Sequence, residues 1–202
     1  MDVSHVTYQG PEFEASSPVV DLLPANLVGL LKQINGFVQF SGGLHVRGVC
    51  VQPNWHSLAE VMLGSEALHR GYRAVLPTDV PFAQDCVADQ FLLREGFVYR
   101  LASETGELER LNLKLSEFFN AVEADPVKFL AMEPLLRFQK DGGTLQPGEV
   151  LHAYPPFCTN EAANGVSLKA VGTVEALRFL ADFSRQISGL AVGDKFHVRV
   201  VP

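Results

Sequence analysis

The sequence predicts an α+β protein in which helices flank a mainly antiparallel central sheet. Two observations carry this prediction. Short apolar runs separated by turn signals recur between residues 37 and 101, as in a meander of strands. Amphipathic helical spacing lies outside that block, at residues 27–34 and 173–188. We therefore expect a core at residues 18–140 and a C-terminal helix-plus-strand extension at residues 141–202, packed on the core because it is too small to be stable alone.

The N-terminal part begins without a periodic pattern and continues into a clear helix. Residues 1–17 contain Gly10-Pro11 and Ser16-Ser17-Pro18, and we expect them to form an extended arm. The first helix is predicted from one apolar face with i, i+3, i+4, i+7 spacing, made by Leu27, Leu30, Leu31 and Ile34. Pro24 suits its first turn and Gly36 its end.

Two strands and a short helix are expected next. Residues 37–40 and 44–50 are predicted to form two strands on either side of a turn at Ser41-Gly42-Gly43. Ser57 and Glu60 have the spacing of a capping box, which predicts a helix start. Trp55, the only tryptophan, has two interpretations: a partly buried packing residue, or an exposed anchor for a protein partner.

The central region predicts further strands with carboxylates at their turns. The run Phe91-Leu92-Leu93 and residues 97–101 are strand-like, and Glu95-Gly96 marks the turn between them. Residues 104–107 form a second turn signal, and Ser116 opens a helix. The acidic residues of this region are either a solvated rim or a contact surface.

The stretch DVPFAQDCVADQFLLREGFVYRLASETGELERLNLKLSEFF, together with LPANLVGLLKQINGF and GGLHVRG, resembles the core of the SUKH superfamily over roughly residues 20–138. That superfamily includes bacterial immunity proteins that neutralise secreted toxins and fungal regulators of cell-wall synthesis. The resemblance implies a SUKH-like fold and a non-catalytic protein-binding function, with a cognate toxin as the expected partner. An intracellular scaffold without a toxin partner is the alternative that the fungal members imply.

Charge and composition restrict the partners. The net charge of −7 disfavours nucleic acid, whose backbone needs clustered Lys and Arg. Residues 79–123 hold nine acidic and four basic side chains, so a basic toxin domain would be attracted to this segment. No apolar run reaches membrane-spanning length and no secretory signal is evident, which predicts no membrane partner and a cytoplasmic location. The odd count of three cysteines (Cys50, Cys86 and Cys158) predicts free buried thiols in a reducing compartment.

Motifs for catalysis and cofactor binding are missing from the sequence. It contains no P-loop, no Gly-x-Ser-x-Gly, no His-Glu-x-x-His and no Cys-x-x-Cys. We therefore expect no cofactor, no metal and no enzymatic activity. The candidate partner-binding residues are Trp55, Asp85, Asp89, Glu104 and Glu107. The competing hypothesis is that these four carboxylates converge for acid–base chemistry or for Mg²⁺ or Ca²⁺ binding.

Overall fold

The computed structural model describes residues 5–191 and 193–195, and its largest element is one seven-stranded antiparallel sheet. Each strand pairs with the strand before and after it in the chain. The strands are β1 (Val6–Gln9), β2 (Phe37–Gln39), β3 (Leu44–Val46), β4 (Val80–Asp85), β5 (Gln90–Arg94), β6 (Phe97–Ala102) and β7 (Glu107–Leu113). This arrangement confirms the predicted mainly antiparallel sheet of an α+β protein.

The described residues form seven α-helices around the sheet. They are α1 (Ala25–Leu31), α2 (Leu58–Met62), α3 (Leu68–Gly71), α4 (Leu115–Ala124), α5 (Pro126–Phe129), α6 (Glu133–Lys140) and α7 (Thr173–Ile187). The predicted cap of α2 is present, because the Ser57 hydroxyl accepts the Glu60 N–H at 3.3 Å. The α-helices that the structure describes include none long and apolar enough to cross a membrane.

The first and last strands of the meander differ from the sequence-based expectation. The predicted N-terminal arm contributes β1, which pairs with β2 as an edge strand. Gly10 follows it, and a Cβ there would lie 2.0 Å from the Asn35 carbonyl oxygen, so glycine permits this close approach. The other edge, β7, occupies residues for which the sequence indicated only a turn and then a helix.

The sheet has one strongly apolar face. Phe82 and Phe91 on neighbouring strands both contact Phe118 of α4, at ring-centroid distances of 5.2 and 4.8 Å. Leu27 and Leu31 of α1 belong to the same buried cluster. We call this side the apolar face.

The C-terminal extension covers the opposite face. It consists of a hairpin of β8 (Glu149–Tyr154) and β9 (Ser167–Gly172), followed by α7. Leu177 and Leu180 of α7 share a second buried cluster with Leu92 and Leu101 of the sheet. The Leu151 N–H donates to the Cys86 carbonyl at 2.7 Å, which ties the hairpin to the β4–β5 turn. The strand predicted around Phe196, Val198 and Val200 lies outside the described residues.

Candidate functional site

Trp55 lies partly buried among other rings beneath the extension. Its ring centroid is 5.1 Å from that of Tyr8 and 5.0 Å from that of His45. A Cβ on Gly148 would approach the indole to 2.9 Å, so the backbone entering β8 passes directly over the ring. These contacts give Trp55 a packing role between the sheet and the extension, and only its exposed edge is open to a partner.

Asp85 and Asp89 flank the β4–β5 turn and share the guanidinium of Arg100. Arg100 Nη2 lies 3.1 Å from Asp85 Oδ2 and 2.9 Å from Asp89 Oδ2. Asp85 also accepts the backbone N–H groups of Val87 and Asp89, each at 3.0 Å. Burial raises the pKa of Asp85 well above its ordinary value, Asp89 adds to the rise, and Arg100 opposes it. Because Asp85 is fully buried, a partner would have to open the turn to reach it, and the structure gives this residue an internal role.

Glu104 and Glu107 lie in and just after the β6–β7 turn, but they face different surroundings. The Glu104 carboxylate accepts the N–H groups of Phe157, at 3.0 Å, and Cys158, at 2.8 Å, in the β8–β9 connection. Glu107 is exposed at the start of β7. Cys50 and Cys86 are buried as expected, whereas Cys158 is exposed because it lies in this surface connection.

The four predicted carboxylates therefore do not form one cluster. Asp85 and Asp89 come together around Arg100, while Glu104 holds a loop and Glu107 faces solvent. Among residues 5–191 and 193–195, no three His, Cys, Asp or Glu side chains are arranged to hold a metal ion.

The sheet face beneath the extension contains a buried arginine that the sequence analysis did not single out. Arg47 is completely buried, and its Nη2 donates to Gln84 Oε1 at 2.6 Å and Gln90 Oε1 at 2.7 Å. Its Nη1 donates to the Pro81 carbonyl at 3.0 Å, and its Nε has no hydrogen-bond partner among the described residues. Burial lowers the pKa of Arg47 to about 9, so the guanidinium stays protonated at neutral pH. Neutral oxygens alone hold this charge.

Two buried histidines continue this polar region. His45 Nε2 lies 2.9 Å from His56 Nδ1, and His56 Nε2 lies 3.0 Å from the Asn35 carbonyl oxygen. A carbonyl only accepts, so His56 Nε2 carries the proton and its neutral Nδ1 accepts from His45 Nε2. Burial lowers the pKa of both rings, that of His56 to about 4. We call His45, Arg47, His56, Gln84 and Gln90 the polar layer.

Thr173 of α7 closes the polar layer from the extension side. Its hydroxyl oxygen accepts the Gln84 side-chain N–H at 3.3 Å. The sequence signal for the layer was the alternation in β3, where His45 stands between Leu44 and Val46. That alternation ordinarily indicates a solvated face, and here Trp55, His56 and the docked extension bury it.

The outer edge of β7 exposes charged side chains, those of Glu107, Glu109 and Arg110. Glu107 and Glu109 are both exposed and lie on the same side of the strand, since they pair with Ala102 and Arg100 of β6. Arg100 is already engaged by the two buried aspartates. Within the part of the chain that the structure describes, β7 has a strand on one side only. We call β7 with Glu107 and Glu109 the acidic edge.

A concavity of about 220 Å³ lies near the acidic edge, between α3, the β6–β7 turn and the end of α7. Arg73 and Arg185 contribute its cationic groups, and Thr105 and Ser188 contribute hydroxyls. Arg185 is already paired with Asp182 at 2.8 Å. None of the five predicted site residues lines this concavity.

Comparison with known proteins identifies the fold. The sequence matches no family model and no curated protein. Among solved structures, the chain is similar to the crystal structure of Atu4351 from Agrobacterium tumefaciens, with a TM-score of 0.53 and 13% sequence identity. The match covers 86% of this chain and 83% of that chain. At this identity the likeness shows a shared α+β fold.

Proposed function

We propose that this protein is a non-catalytic binding protein that captures a basic protein partner along the acidic edge. The partner we propose is a cognate toxin, which would make this an immunity-type protein. The observation that carries the proposal is the contrast among neighbouring acidic groups. Asp79, Asp85 and Asp89 are ion-paired with arginines inside the protein, whereas Glu107 and Glu109 remain exposed on an edge strand.

The geometry of the acidic edge suits protein recognition. An edge strand offers backbone N–H and C=O groups to an added strand, which gives affinity without a deep pocket. Two carboxylates two residues apart lie roughly 7 Å from each other along a strand, a spacing that a basic strand can match. The negative charge of these two glutamates would also speed the encounter with a basic protein.

The choice of a toxin as partner is supported by the resemblance to the SUKH superfamily. A cytoplasmic location belongs to the same proposal, because the three cysteines are unpaired, as expected in a reducing compartment. A small globular binder of this kind would act by covering the active site of its partner.

The first experiment identifies a partner and measures its electrostatic dependence. The protein serves as bait in its native source, and the captured protein is identified, purified and used for stopped-flow binding. We expect association to slow as salt rises, since screening acts over about 8 Å at physiological ionic strength. The double variant Glu107→Lys/Glu109→Lys should slow association by about tenfold or more.

The matched control is Glu12→Lys/Asp21→Lys, which changes two exposed acids far from β7 and alters the net charge equally. It should slow association by less than about threefold. If the two double variants behave alike, net charge rather than the acidic edge governs the encounter, and the proposed site is wrong.

A second experiment tests neutralisation. Expression of the identified partner alone should inhibit cell growth, and co-expression of this protein should restore it. Restoration should be weakened by the edge variant and retained by the control variant. A partner that is harmless when expressed alone would contradict the immunity function, and turnover of an ester, phosphodiester or glycoside by the purified protein would contradict the non-catalytic assignment.

A further inference from the structure

Two aromatic side chains of the sequence Tyr-Pro-Pro-Phe are exposed where β8 ends and its connection to β9 begins. Tyr154 is 75% exposed and Phe157 is 41% exposed. Exposure of a large aromatic side chain to water is energetically unfavourable. Exposed aromatic side chains are frequent anchors of protein interfaces. This loop therefore presents apolar area that nothing in the described part of the chain covers.

The loop is held rigidly. Pro155 and Pro156 restrict its backbone, and the Thr159 hydroxyl donates to the Pro156 carbonyl at 2.7 Å. Glu104 fixes it to the sheet by accepting the N–H groups of Phe157 and Cys158. A pre-ordered anchor loses little conformational entropy on binding, so its apolar burial contributes more fully to affinity.

The loop is joined through Glu104 to the turn that leads into the acidic edge. Glu104 belongs to the β6–β7 turn, and Glu107 three residues later begins the edge strand. The loop itself, residues 154–166, contains a single charged side chain, Glu161. An aromatic anchor with acidic groups beside it fits a protein surface that combines an apolar recess with basic residues.

We propose that Tyr154 and Phe157 form the apolar anchor of the partner interface and insert into an apolar recess on the basic partner. Glu104 acts as a positioning residue that orients the loop and does not itself need to contact the partner. This inference rests on the proposed function, because it places the aromatic anchor and the acidic edge against one partner. The two contribute differently: the edge governs association, and the anchor governs dissociation.

The test uses the partner captured and purified above. Tyr154→Ala and Phe157→Ala should each raise the Kd by about tenfold or more, mainly through faster dissociation. The melting temperature of the free protein should change little, because both side chains are exposed. Leu22→Ala is the matched control: Leu22 is 51% exposed on a distant 3₁₀ helix, and its truncation should leave the Kd within about twofold.

Glu104→Gln tests the positioning role separately. Its amide oxygen can replace one acceptor but not both, so hydrogen exchange at the Phe157 and Cys158 amides should speed up while the rest of the protein is unchanged. The Kd should rise although both aromatic groups remain. Unchanged binding with faster exchange would overturn the positioning role.

The outcomes separate the two proposals. If the edge variant weakens binding and the aromatic variants do not, the anchor is wrong and the acidic edge stands. If the aromatic variants weaken binding and the edge variant does not, the partner docks at the loop without the acidic edge, and both the edge site and the shared-interface inference fail. If no captured protein responds to either set, or none is captured, the proposed function and this inference are both overturned.

Discussion

The two faces of the seven-stranded sheet are both buried, but they are built from different chemistry. The apolar face packs phenylalanines of β4, β5 and α4 against one another. The other face packs leucines around a polar layer that includes a charged arginine. Apolar packing stabilises in any arrangement that excludes water, whereas a buried charge is tolerated only where its oxygen partners are placed correctly. The first face therefore supplies stability, and the second specifies how the extension docks.

The largest expected effect is on the apolar face. Phe118→Ala removes a fully buried ring between Phe82 and Phe91 and should lower the free energy of unfolding by about 3–5 kcal/mol. Arg47→Met has a similar apolar length and removes the buried charge, but it leaves the Pro81, Gln84 and Gln90 oxygens without this donor, so it should cost about 1–3 kcal/mol. Chemical denaturation of both variants measures the two losses of unfolding free energy, which are then compared. Equal losses would show that the polar layer stabilises the fold as strongly as the aromatic packing.

The next effect concerns the pH dependence of the polar layer. The pKa values of His45 and His56 are lowered in the folded protein. Below about pH 6.5 the unfolded chain therefore binds more protons at these two side chains than the folded protein does. Stability should therefore fall as the pH drops below about 6.5, by at most about 1.4 kcal/mol per pH unit for each ring that is protonated in the unfolded chain and neutral in the folded protein.

The raised pKa of Asp85 acts with the opposite sign, because the folded protein then binds its proton more readily than the unfolded chain does. The double variant His45→Gln/His56→Gln removes only the histidine contribution. Its unfolding free energy should depend less steeply on pH between 6.5 and 4 than that of the wild type. Parallel curves for the two proteins would show that these rings do not titrate on unfolding.

The smallest expected effect is on the rate at which the exposed thiol of Cys158 is alkylated. Desolvation and the neighbouring Glu104 carboxylate raise the pKa of Cys158 to about 12, so little thiolate is present at neutral pH. Iodoacetamide should modify Cys158 slowly despite its exposure, and Glu104→Gln should accelerate the reaction several-fold because it removes the negative charge. Glu107→Gln is the control and should leave the rate unchanged. Equal acceleration by both variants would contradict the assigned contact.

The sequence predicted the parts of the fold that depend on local patterns. The turn at Glu95-Gly96, the Ser57 cap of α2 and the amphipathic α7 all carry short-range signals, and each is present. The capping box is only half formed, because the Glu60 carboxylate accepts from Ser65 and Glu66 instead of from the Ser57 N–H. The strand β7 was missed because Asn112, with φ of 58°, interrupts its alternation with a bulge. The sequence analysis therefore predicted an acidic segment here, but it did not predict the strand that carries it.

The polar layer and the aromatic anchor depend on contacts between distant parts of the chain. Arg47 meets Gln84 and Gln90 only through strand pairing, with sequence separations of 37 and 43 residues. Glu104 reaches Phe157 across 53 residues. Carboxylates at a predicted turn gave no indication of which would bind backbone amides, which would be buried and which would face solvent.

The order of the sheet has a consequence for how the chain folds during synthesis. Since each strand of the sheet pairs with the one made just before it, the sheet can grow strand by strand as the chain emerges, with helices between β1 and β2 and between β3 and β4. The extension follows the sheet in the chain. We therefore expect Arg47 to stay hydrated until the sheet has formed and α7 docks, so that closure of the polar layer comes after assembly of the sheet.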